Sequence, residues 1–68
     1  MNEIIFLIEE SLEGGYVARA LETSIHTEAD NLKELKDSIR DAVKCHFNEN
    51  KRPRIIRLHF VKDEVITL

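Results

Sequence analysis

The apolar positions of this chain fall into several short blocks and one long stripe. Ile4-Ile5-Phe6-Leu7-Ile8 is an unbroken run of β-branched, aromatic and aliphatic residues. Such a run predicts a strand covered at least in part on both faces. Glu9–Gly15 is polar and closes on adjacent glycines, Gly14 and Gly15, which predicts a turn. Tyr16–Leu21 then predicts a second strand, joined to the first as a β-hairpin. Ser24-Ile25-His26-Thr27 is a weaker third strand. Its short link through Glu22 and Thr23 requires antiparallel pairing. Ile55–Val61 alternates Ile56, Leu58 and Phe60 with Arg57 and His59, so one face is buried and the other wet. Beyond it, Lys62-Asp63-Glu64 leads to Val65–Leu68. That end is either a short separate strand or a continuation of the fourth, and the pattern leaves both open.

The long stripe is helical. Asn31 is a good N-cap, and Glu34 three residues later completes a capping-box pattern. Leu32, Leu35, Ile39, Ala42, Val43 and Phe47 then occupy one arc of about 140° at helical spacing. Asp37, Ser38, Asp41 and Lys44 fall opposite. Asn48–Asn50 end the helix, and Pro53 prevents its return. The order β-β-β-α-β predicts an α+β fold with the helix on one face of the sheet. A right-handed crossover brings strand four beside strand one, in sheet order 3-2-1-4. Strand one is then central, in keeping with its unbroken apolar run.

A chain of 68 residues is one domain spanning 1–68, near the lower limit for a single core. One cysteine, Cys45, has no partner for a disulfide, so association into a homodimer or higher oligomer is the expected way to bury more area. The same cysteine fits a reducing compartment. The start of the chain is not basic, and Ile4–Ile8 is too short for a membrane span. A cytoplasmic location without membrane attachment is therefore expected.

Charge divides the chain. Residues 1–50 carry eleven Asp/Glu against five Lys/Arg, a balance of −6; residues 51–68 carry two against five, a balance of +3. The acidic majority argues against general nucleic-acid affinity and permits a basic partner. Glu9, Glu10 and Glu13 cluster at the hairpin, and Asp37 and Asp41 lie on the exposed side of the helix. These five are the candidate partner-binding residues. Lys51, Arg52, Arg54 and Arg57 form the alternative, a local RNA contact, although no aromatics are interleaved for stacking.

Catalytic constellations are not visible. Gly14-Gly15 precedes a strand rather than a helix, so a hairpin turn with φ > 0 is favoured over a phosphate loop. His26, His46 and His59 lack metal-ligand spacing. His46 reads as a partly buried edge residue. Cys45 and His46 are helix neighbours pointing about 100° apart, which is no nucleophile–base pair. Cys45 reads as a boundary residue near a subunit contact. No enzyme, cofactor or metal is expected.

Gly14-Gly15-Tyr16, with Asp30-Asn31-Leu32-Lys33-Glu34 and Ile39-Arg40-Asp41-Ala42-Val43, resembles the N-terminal domain of HicB-type antitoxins and their short stand-alone relatives. The resemblance covers roughly residues 4–47. Leu21, Ser24 and Ala29 stand where the family commonly has Pro, Gly and Gly. What it implies is a partial ribonuclease-H-like β-β-β-α-β domain without that fold's acidic metal cluster. It further implies a non-enzymatic module that binds and masks a small basic ribonuclease toxin. The DNA-binding module of the longer antitoxins has no counterpart within these 68 residues, so operator binding is not part of the expectation.

Overall fold

The computed structural model describes residues 2–68. β1 (Glu3–Glu10), β2 (Tyr16–Ala20), β3 (His26–Ala29), α1 (Leu32–His46) and β4 (Ile55–Val61) follow in order, with one 3₁₀ turn at Glu49–Lys51. The four strands form one mixed sheet in the order β3-β2-β1-β4. β1 pairs antiparallel with β2 and parallel with β4, and β2 pairs antiparallel with β3. The fold is α+β, with the expected strand order.

Strand parity decides which residues meet the helix. Ile4, Phe6 and Ile8 of β1 share a face with Ala18 and Ala20 of β2, and with Ile56, Leu58 and Phe60 of β4. Leu35, Ile39 and Val43 descend on that face from α1, and Ile25 closes one end of the core. Leu32, Ala42 and Phe47 pack around it half-buried, as the helical stripe requires. No helix among the described residues covers the second face of the sheet. There Ile5 and Leu7 are half-buried between Glu3, Glu9, Arg19, Arg57 and His59.

The helix begins where the capping pattern places it. Asn31 Oδ1 accepts a hydrogen bond from the Glu34 amide at 2.8 Å. Replacing Asn31 by alanine orphans that donor, and the expected loss is about 1 kcal/mol in urea unfolding. An unchanged midpoint would show that solvent replaces the cap at no cost. At the other end, Phe47 has left the helical conformation, and its amide donates to Val43 O at 3.0 Å.

The third strand departs from the sequence pattern. It runs from His26 to Ala29 rather than from Ser24 to Thr27. Ser24 belongs to the link, and Ile25 is pinned there by two demands: its side chain is buried, and its carbonyl accepts from the Ala20 amide at 2.9 Å. The ladder then continues into Glu28 and Ala29, pairing with Val17 and Tyr16. Residues 62–68 follow β4 with no regular structure, so Val65–Leu68 is neither a separate strand nor an extension of β4. No helix among the described residues is long and apolar enough to cross a membrane.

Candidate functional site

The first hairpin, the end of β3 and the start of α1 meet around an open groove of about 710 Å³. The turn explains how they meet. Gly14 and Gly15 both take positive φ, 98° and 82°. Gly14 N donates to Ser11 O at 3.1 Å, and Ser11 N donates to Gly15 O at 2.9 Å. Glu13 within this turn and Tyr16 just after it both line the groove. A Cβ on Gly15 would lie 2.7 Å from the Ala29 carbonyl oxygen, so glycine also lets the turn press against β3. Ala29 is followed at once by Asp30 and the Asn31 cap, and the first helical turns complete the wall.

Glu13, Glu28, Asp30, Glu34 and Asp37 line this groove, and its lining contains no lysine or arginine. Tyr16, Val17 and Ala29 supply an apolar part, while Ser11 and Ser38 add hydroxyls. Several carboxylates within one concavity produce a negative potential that attracts a cationic surface. Among the described residues, no three His, Cys, Asp or Glu side chains are grouped to hold a metal ion.

The five acidic candidates divide among different surfaces. Glu13 and Asp37 share the groove. Asp37 also accepts from Arg40 Nη1 at 2.9 Å, an exposed pair one turn apart on the helix. Glu9 lies on the helix-free sheet face, 3.9 Å from Arg19. Glu10 faces the other way and borders a smaller depression with Tyr16, Phe60 and Lys62. Asp41 is exposed one turn beyond Asp37 and does not line the groove. Glu28, Asp30 and Glu34 are the residues that linear clustering missed. Glu34 was visible as half of a capping pattern, and Asp30 stood beside it. Glu28 had no signal until β3 was placed in register.

The basic candidates are also divided. Lys51, Arg52 and Arg54 share a shallow groove with Asn2, Phe47 and Asn50. Arg52 is half-buried there, and its Nη2 donates to the Lys44 carbonyl at 3.2 Å, joining the loop to the end of α1. Arg57 lies on the helix-free face. Its Nε and Nη2 both approach Glu3 Oε1, at 2.9 and 2.8 Å. The hydrogen bond and then the charge of Glu3 raise the Arg57 pKa further.

The remaining chemistry-bearing side chains stay apart. Cys45 is exposed rather than at a boundary. His46 is exposed rather than partly buried, with its ring edge-on to Phe47 at a centroid separation of 4.9 Å. Helix α1 ends at His46, so the apolar arc that would have covered it turns away with Phe47.

A four-stranded mixed sheet, one covering helix and an open acidic groove define a small α+β domain. A UPF0150 protein of Archaeoglobus fulgidus is 54% identical over 55 residues, covering 81% of this chain and 82% of that protein. A UPF0150 protein of Thermotoga maritima is 44% identical over 67 residues, covering 98% of this chain and 94% of its relative. The chain belongs to the UPF0150 family. No family model matches it, and no solved structure does.

Proposed function

We propose that this protein is a non-enzymatic, antitoxin-like binding module of the HicB type, with a partial ribonuclease-H-like fold. Its acidic groove binds and masks a small basic protein, a ribonuclease toxin. The observation that carries this reading is the groove itself: five carboxylates on one wall system with no lysine or arginine among them. An exposed groove of this kind favours encounter with a cationic surface and raises its association rate. The resemblance at Gly14-Gly15-Tyr16 and Asp30–Glu34 supports the same reading, because those two stretches build the groove's turn and its helix wall.

The test is co-expression with a small basic protein encoded beside this one, followed by titration and an RNA-cleavage assay. The wild-type chain is expected to bind the partner and suppress cleavage. Glu13→Lys combined with Glu34→Lys is expected to weaken binding at least about 100-fold, while an Asp41→Lys control outside the groove changes it by less than about threefold. Equal losses at both sites would remove the groove from the account. The alternative, RNA contact through Lys51, Arg52, Arg54 and Arg57, predicts direct RNA binding that falls steeply with salt. It is the weaker reading, because Arg52 is tied to the helix end and Arg57 to Glu3.

A further inference from the structure

β4 is an edge strand with unusual exposure. Its inner edge pairs with β1, and no other strand among the described residues pairs with it. Soluble proteins usually blunt such an edge with proline, a bulge, charged side chains or a covering loop. β4 has no proline and no bulge, and its one charged side chain, Arg57, lies on the helix-free face and is held by Glu3: Ile55-Ile56-Arg57-Leu58-His59-Phe60-Val61 runs seven residues in unbroken register. Phe60, on the helix-side face, is 53% exposed. The helix leans toward β3 and β2. This leaves a groove of about 410 Å³ beside β4, floored by Ile39, Ile56 and Leu58 and rimmed by Lys36, Arg40 and Arg54. After β4 the chain continues into solvent, with Val65 88% and Ile66 80% exposed.

The total surface shows the same excess. A compact monomer of this mass exposes about 4,400 Å². This chain exposes 5654 Å². Its Cα radius of gyration is 13.3 Å, against about 11 Å for a compact domain of this length. The difference in surface is on the order of 1,200 Å², and the tail, residues 62–68, exposed throughout, contributes to it together with Phe60 and the open side of β4.

We infer that β4 pairs antiparallel with β4 of a second copy, joining two sheets into one of eight strands. A twofold axis at His59 satisfies the side chains on the page. Phe60 of each copy then lies opposite Leu58 of the other, closing the apolar groove from the side. Pairing orders residues 62–64 of each tail, irregular in the single chain, so that Glu64 of each copy comes opposite Arg54 of the other, on the same face. Parity places both helices on one side of the joined sheet. The charges are opposite in sign: the tail supplies Asp63 and Glu64, and the groove rim is basic. A second copy is the occupant because one symmetric contact uses the bare edge, the exposed Phe60 and the acidic tail together. This dimer is independent of whatever occupies the acidic groove, which lies at the opposite edge of the sheet.

Sedimentation equilibrium on the full chain tests it. At about 50 µM the wild type is expected to be dimeric. Phe60→Lys, at an exposed position, is expected to give a monomer with an unchanged circular dichroism spectrum. Glu64→Arg is expected to raise the dimer dissociation constant about tenfold, because symmetry counts the Arg54 contact twice. Arg54→Glu together with Glu64→Arg is expected to restore it. A monomeric wild type at that concentration overturns the inference, and would leave the tail to fold back on its own β4. A dimer indifferent to Phe60→Lys overturns it as well, by locating the contact elsewhere.

Discussion

Phe6→Ala is expected to unfold most molecules of this protein at 25 °C. Phe6 has no exposed surface and sits at the middle of the central strand. It pairs with Ala20 on one side and Leu58 on the other, and lies in the same core as Leu35 and Ile39. Truncating a buried phenylalanine to alanine costs about 3–5 kcal/mol, and the alanines of β2 cannot move in to fill the space. A domain of this size has a total stability of roughly 3–10 kcal/mol. A chain this close to the lower size limit for a single core falls in the lower part of that range, where the loss equals the whole margin. Far-ultraviolet circular dichroism without denaturant should show the collapse, and Phe6→Leu should retain a cooperative urea transition. A Phe6→Ala protein with a wild-type midpoint would mean that β1 is not the centre of the core.

The second large effect is expected at Gly15, and the contrast with Gly14 identifies its cause. Both glycines have positive φ, so alanine at either pays a left-handed backbone penalty of about 1–2 kcal/mol. At Gly14 that is the whole cost, since nothing lies within 4 Å of an added Cβ. At Gly15 the new Cβ meets the Ala29 backbone oxygen at 2.7 Å, and backbone cannot step aside as a flexible side chain would. β3 must move away from the turn, which opens the acidic groove at its base. Gly15→Ala is expected to lose at least about 2 kcal/mol more than Gly14→Ala in urea unfolding. Equal losses would reduce the close approach to a matter of turn geometry alone.

Much of the architecture was legible because local patterns and the global fold agree here. The capping signal at Asn31 and the stripe through Val43 marked the helix, and alternation from Ile55 to Val61 marked β4 without error. The unbroken run at Ile4–Ile8 pointed to a central strand. The third strand slipped by two residues because Ile25 looked like strand and is a buried link residue, while polar Glu28, which carries no apolar signal, lies in the ladder opposite Val17. The site was less legible for a related reason. Glu9 and Glu10 look like neighbours in a turn, but β1 extends through both, and successive strand residues face opposite ways. The groove instead draws on Glu13, Glu28 and Glu34, from three elements whose proximity depends on the β2–β3 register and on how closely Gly15 approaches Ala29. No linear spacing encodes that. The exposure of Phe60 was hidden as well, since alternation shows which face a residue takes but not how far a helix reaches across it.

The parallel pairing of β1 with β4 also sets an order of events at the ribosome. β1 is made first, and its partner on one side ends at Val61. At synthesis rates of roughly 5–20 residues per second, that partner follows after about 3–10 s. During that interval the hairpin can close and α1 can form, but the strand carrying Ile4, Phe6 and Ile8 has a bare flank. Nascent chains stalled within β4 should therefore remain protease-sensitive and chaperone-bound, whereas release of the last strand permits the central strand to be enclosed.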